Sequence, residues 1–197
     1  MNKKLAWGLL GAWIIHDLEE LLTMQRWSRQ APEQLADAIP TRVADVLPSR
    51  VAVTLAPRVV TTAEKVLPMS TAEAATAIGI TGLAMAAASA AGAVSGGRSK
   101  FFQASLMGLG LHAGTHIAQS VALRRYTPGL VTTPLVVIPF SVWAWRELKR
   151  SGVPIAPSDR RLNLALAAVV PLSHAIARLP RLRRRGREGG VRPTMNT

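Results

Sequence analysis

Apolar and polar positions along the chain divide it into long uncharged runs separated by short basic stretches. Leu5 to Ile15, Thr76 to Val94, Phe101 to Leu123, Leu130 to Trp145 and Leu162 to Ala177 contain no charged side chain. The longer runs approach the ~20 residues that a helix rising ~1.5 Å per residue needs to cross the hydrocarbon core of a bilayer. Helices are the expected form, because lipid offers open backbone groups no hydrogen-bonding partner. The pattern therefore predicts an all-α, polytopic membrane helix bundle of about five transmembrane helices, with spans near 5–24, 73–94, 101–123, 129–147 and 162–178. A multi-pass protein of the cell membrane is the corresponding location.

The connecting segments differ in kind. Ser95-Gly96-Gly97-Arg98-Ser99-Lys100 is short and makes the second and third spans antiparallel neighbours. Gly79, Gly82, Ala86 and Gly92 give the second span small surfaces for close packing. Residues 25–72 form a longer loop in which Pro40-Thr41-Arg42-Val43-Ala44 is echoed by Pro48-Ser49-Arg50-Val51-Ala52 and by Pro57-Arg58-Val59-Val60. Proline suits a first helical turn and breaks an interior, so this loop reads as short turns, each ended by the next proline, lying at the bilayer interface. The sharper alternative is a lid over a lateral entrance.

Composition adds a strong basic bias, with 24 Lys and Arg against 11 Asp and Glu. Arg178, Arg181, Arg183, Arg184, Arg185, Arg187 and Arg192 crowd into the C-terminal end, and 179–197 reads as a basic disordered tail. After a membrane span such a tail implies contact with anionic lipid headgroups rather than nucleic acid. An outside N-terminus places fifteen Lys and Arg on the cytoplasmic face and the reverse places nine, which favours N-out, C-in. Met1-Asn2-Lys3-Lys4 before an apolar run has the form of a secretory signal, but no small-x-small cleavage site follows, so the first span is expected to be retained. The absence of cysteine removes disulfides and thiolate ligands from consideration.

The candidate chemistry lies where polar groups are costly. His16-Asp17-Leu18-Glu19-Glu20 interrupts the first span, and ionisable groups at such depth face a protein interior and are paired or used. At 3.6 residues per turn His16, Glu19 and Glu20 share a face, and Asp17 projects about 100° away. The third span carries His112 and His116 one turn apart, and the fifth carries His174, so all four histidines fall inside predicted spans. His16, His112 and His174 lie 11, 11 and 12 residues past Leu5, Phe101 and Leu162, which places them at one depth in parallel helices. Glu19, Glu20 and His116 follow about one turn on.

This pattern predicts metal ligation by His16, Glu19, Glu20, His112, His116 and His174. Nitrogen and carboxylate donors without sulfur suit one or two divalent ions of iron, zinc or manganese. An interhelical His–Glu hydrogen-bond network that merely fixes packing is the simpler alternative. Tyr126-Thr127-Pro128-Gly129 adds a tight reversal before the fourth span, with Gly129 at a positive φ. Tyr126 then falls on the side of Glu19, Glu20 and His116, as an interfacial anchor, a donor to a carboxylate or a substrate contact.

These residues resemble the HXXEE domain family, named for the first motif. His16-Asp17-Leu18-Glu19-Glu20 matches it in full, His112 or His116 supplies the family's further histidine, and Tyr126-Thr127-Pro128-Gly129 its Tyr-x-Pro-Gly motif. The resemblance covers roughly 5–148 and implies an enzyme without an assigned reaction; His174 and the proline-punctuated loop lie outside its motifs. The leading expectation is a membrane metalloenzyme acting on a hydrophobic or lipid-like substrate, as a di-iron oxidase or hydroxylase or as a zinc hydrolase with a Glu base. Glu19, Glu20 and Tyr126 are its candidate catalytic residues. A metal-free glutamate hydrolase resembling the CAAX proteases is an alternative, but the Arg expected four residues after the second Glu is replaced by Met24. A carrier for metal ions or protons is another, although no internal repeat accompanies Pro134, Pro139 and Pro171.

Overall fold

A computed structural model describes residues 3–43 and 49–188. Among these the chain is wholly helical: α1 (Lys3–Val43), α2 (Ser49–Val66), α3 (Thr71–Val94), α4 (Lys100–Leu123), a π-helical turn (Thr133–Val137) running into α5 (Ile138–Arg150), and α6 (Arg160–Glu188). The core is built where α1, α4 and α5 meet, from Leu5, Leu9, Trp13, Phe102, Leu106, Leu109, Val137 and Leu148. Two of the small residues of α3 explain its close packing. A Cβ at Gly82 would lie 2.7 Å from the Trp13 ring, and one at Gly92 would lie 2.5 Å from Phe102.

Caps fix the helix ends near this core. Ser70 and Glu73 form a reciprocal capping box that opens α3, and Ser99 accepts from Phe102 N–H at the start of α4. Ser28 on α1 exchanges hydrogen bonds with the Met69 backbone, tying the α2–α3 corner to the middle of α1. Gln103 on α4 donates to the Gly97 and Pro154 carbonyls and accepts from Ala156 N–H, which anchors the segment between α5 and α6.

The path of residues 25–72 departs from the reading as short proline-broken turns. α1 continues through Pro32 and Pro40 to Val43, and Pro57 lies inside α2. Packing of α2 along α1 supplies the support that propensity alone lacks. Pro48 lies outside the described residues. The tail likewise begins later than expected, since α6 carries helix from 179 through Pro180 to Glu188.

By length and composition two helices can cross a membrane, α3 and residues Arg160–Arg183 of α6. The other three expected spans fall short for separate reasons. α1 contains Asp17, Glu19 and Glu20; α4 intersperses Gln103, His112, His116 and Gln119 among its apolar positions; and the fourth is split between a π turn and a 13-residue α5.

Candidate metal centre

Each of α1 and α4 contributes two donors spaced four residues apart. His16 and Glu20 project from α1, and His112 and His116 from α4, so one donor pair faces the other across the interface. The donor atoms of all four residues lie within 4.8 Å of one another. His116 Nε2 stands 3.2 Å from His16 Nε2, 2.9 Å from His112 Nε2 and 3.3 Å from Glu20 Oε1. Glu20 Oε1 is 3.9 Å from His16 Nε2 and 4.0 Å from His112 Nε2. Four donors held at about 2.0–2.2 Å from a central ion in a tetrahedron are about 3.3–3.6 Å apart. The observed separations straddle that value.

Glu19 has another duty. Its carboxylate accepts from Tyr126 O–H (2.6 Å), Val131 N–H (3.1 Å), Thr132 N–H (2.7 Å) and Thr132 Oγ1–H (2.6 Å). Val131 and Thr132 precede the π turn, so Glu19 supplies the carboxylate cap for the start of that turn from a different helix. Burial, together with the Glu19 carboxylate, pushes the Tyr126 hydroxyl up to about 12, so it remains a donor.

The same clamp orients His16. Thr132 Oγ1 has one proton and gives it to Glu19, so at its 2.8 Å contact with His16 Nδ1 it accepts. His16 is thereby held as the Nδ1–H tautomer, with the Nε2 lone pair turned toward the cluster. An outer hydrogen bond of this kind is the usual support of a metal-binding imidazole. Gly129 closes the other side, at φ +80°; a Cβ there would lie 2.6 Å from His16 Cε1 and 2.9 Å from His116 Cε1.

A set of three imidazoles and one carboxylate with so few protons does not satisfy itself. His16 Nε2 is an acceptor, and His116 Nε2 can give its single proton to only one of His16, His112 and Glu20. A cation at the centre meets all four donor atoms together, so the residues fit a metal ion.

Three of the four, Glu20, His112 and His116, also line a cavity of about 900 Å3 enclosed by α1, α3, α4 and α6. Its wall is largely apolar, from Trp13, Ile78, Met85, Leu109, Leu166 and Val170 among others. His16 is sealed from it at 1% exposure, and the His112 side chain opens to it at 40%. Asp17 is buried and faces the same cavity without joining the cluster. His174 also lies in the cavity wall, on α6, apart from the four converging residues. Sequence reasoning does not find Thr132, whose only signal is a hydroxyl three residues beyond the Pro-Gly turn.

The fold and site thus define an all-helical protein with a buried His–Glu group suited to a metal ion beside an apolar cavity. The family of proteins of unknown function with an HXXEE motif matches residues 7–144. The chain belongs to that family. No curated protein and no solved structure matches it.

Proposed function

We propose that this protein is an integral-membrane metalloenzyme with a mononuclear three-histidine, one-glutamate centre, acting on a hydrophobic or lipid-like substrate admitted from the bilayer. The convergence of three Nε2 atoms and Glu20 Oε1 at the edge of an apolar cavity carries this reading. A purely structural metal site is closed on all sides, whereas a catalytic one keeps access for substrate. One ion rather than two is favoured because the second carboxylate, Glu19, has its oxygens occupied by four protein donors.

The five-span arrangement, N-out and C-in, is part of the proposal. α3 and α6 bury few of their own residues inside the protein, and Leu22, Leu83, Val94, Leu111 and Leu135 are strongly exposed. Apolar faces of this extent call for lipid. Of the polar residues that set α1 and α4 apart from ordinary spans, His16, Glu20, His112 and His116 point inward to one another, as intramembrane ionisable groups do.

Four protein donors leave positions free on an ion that prefers six ligands and none on a tetrahedral one, which favours iron or manganese. For zinc, the three histidines would bind and Glu20 would serve as base. Bound here, iron or manganese would supply redox chemistry and zinc hydrolytic chemistry. The chain's own residues do the rest: Thr132 and Glu19 fix His16, Gly129 packs the imidazoles, and Glu20 stands at the cavity edge where it can take a proton.

Tag-free protein purified without chelators should contain about one iron, manganese or zinc ion per chain by mass spectrometry. Alanine at His16, His112 or His116 should abolish that content, and alanine at His174 should preserve it. Active protein that is reproducibly metal-free, or metal that crosses a reconstituted membrane without being retained, would refute the proposal.

A further inference from the structure

The cavity has a second polar region. α6 and α1 do not pack on each other among the described residues; α3 and α4 both touch each of them, so the cavity separates α6 from α1. The α6 wall presents His174 and Arg178, and Trp27 of α1 also lines the space. The His174 Nδ1, Arg178 Nε and Trp27 Nε1 atoms are all buried without a hydrogen-bond partner. Arg178 forms no ion pair among the described residues; its charge acts at longer range on Glu73, at the base of α3, and on His174 beside it. The Arg178 side chain is part-buried, with its Nε cut off from water, and buried N–H donors left without an acceptor are costly.

Register places these groups relative to the metal centre. Trp13 meets Gly82 and Ser28 meets Met69, while Thr81 meets Ser173 and Arg181 donates to the Pro68 carbonyl just before α3. α3 therefore runs antiparallel to both α1 and α6, and counting along it brings Arg178 to about the level of Glu20 and His174 to about that of His16. The donors and the metal ligands occupy the same depth on different walls. Asp17 is the opposing charge within the cavity, together with Glu20.

We infer that the cavity binds a long-chain amphiphile with an anionic head, a carboxylate or phosphate, held by Arg178 and His174 with help from the Trp27 indole N–H, and with its chain along the apolar wall beside the metal ligands. Guanidinium is the side chain best matched to either head, because its planar fork bonds two oxygens together. A volume of about 900 Å3 lies within the range of sites that enclose such molecules. The inference rests on the reading of the cavity as the substrate chamber, and its test measures binding rather than turnover.

Full-length protein in neutral detergent is titrated with oleate, oleyl phosphate, oleyl alcohol and inorganic phosphate, using tryptophan fluorescence and calorimetry. At least one of the two anionic chains should bind ten-fold or more tightly than the alcohol, and inorganic phosphate should bind more weakly than oleyl phosphate. The stronger of the two identifies the head. Arg178→Gln should erase the margin over the alcohol, Arg178→Lys should retain part of it, and His174→Gln should reduce it, all at unchanged metal content. Equal binding of alcohol and anions by the wild type, or an undiminished margin in Arg178→Gln, would overturn the inference. If Arg178→Gln does not fold, an undiminished margin in both Arg178→Lys and His174→Gln would overturn it. Anion binding by a protein that holds no metal would sustain this inference and sink the metalloenzyme reading; loss of the anion preference in protein with full metal would do the reverse.

Discussion

Replacing Gly129 by alanine tests the metal centre at its tightest contact. Two costs can be separated. A Cβ at φ +80° is strained by about 1–2 kcal/mol. It also arrives 2.6 Å from His16 Cε1 and 2.9 Å from His116 Cε1, and forcing a group into packed surroundings typically costs about 1–3 kcal/mol more. Neither ring can yield freely, because Thr132 holds His16, and His116 is buried among the other ligands. Gly152 supplies the control: it has φ +65°, and a Cβ added there would meet nothing within 4 Å, so Gly152→Ala incurs the backbone cost alone. Both variants are purified in detergent, and metal content and thermal unfolding are measured with and without chelator. Gly129→Ala should lose most of its metal and be about 1–3 kcal/mol less stable than Gly152→Ala; Gly152→Ala should keep its metal. Equal stability of the two variants, with full metal in both, would refute the claim that Gly129 sets the ligand geometry.

Four further outcomes follow from the same geometry. Glu19→Gln should lower metal affinity by about ten- to a hundred-fold without removing a ligand, since it unfastens the Thr132 support of His16; competition with a chromogenic chelator measures this, and unchanged affinity would count against the relay. Asp17→Asn should leave metal content at the wild-type level by elemental analysis, because Asp17 faces the cavity and not the cluster. Tyr126 is the only tyrosine, so ultraviolet titration reads it alone; its midpoint should lie near 12, and its contribution to stability should be full below about 10 and lost as pH rises toward 12, the folded state holding the proton longer. Cysteines placed at position 98 and in the C-terminal tail should react with impermeant reagent from opposite faces, whereas labelling from the same face would remove the five-span topology.

The ligand pairs are legible in the sequence because each is local. His16 with Glu20 and His112 with His116 follow from a four-residue spacing, and the equal depth of α1 and α4 positions brings them together. Periodicity puts Glu19 on the same face, as His16 plus three requires, but its role depends on a tertiary contact with residues 126–132 that helical periodicity does not encode. His174 shares the expected depth and yet lies on α6, which is separated from α1 by the cavity; depth fixes one coordinate and leaves the lateral position open. The prolines mislead for a related reason, since their intrinsic cost in a helix is readable and the packing of α2 on α1 that offsets it is not. The tight turn at Pro128-Gly129 follows from residue type, but that Gly129 must be bare to admit two imidazoles is visible only in three dimensions.

The bond between His16 and Thr132 joins residues 116 positions apart. During synthesis α1 emerges long before its partners, and at roughly 5–20 residues per second the ribosome needs about 6–23 s more to deliver Thr132. In that interval Glu19 lacks the turn, and Glu20 the second histidine pair, that compensate them in the folded protein. On the proposed five-span topology, a newly made α1 is therefore poorly suited to rest alone in lipid, and its stable insertion becomes an event of the fourth span rather than the first.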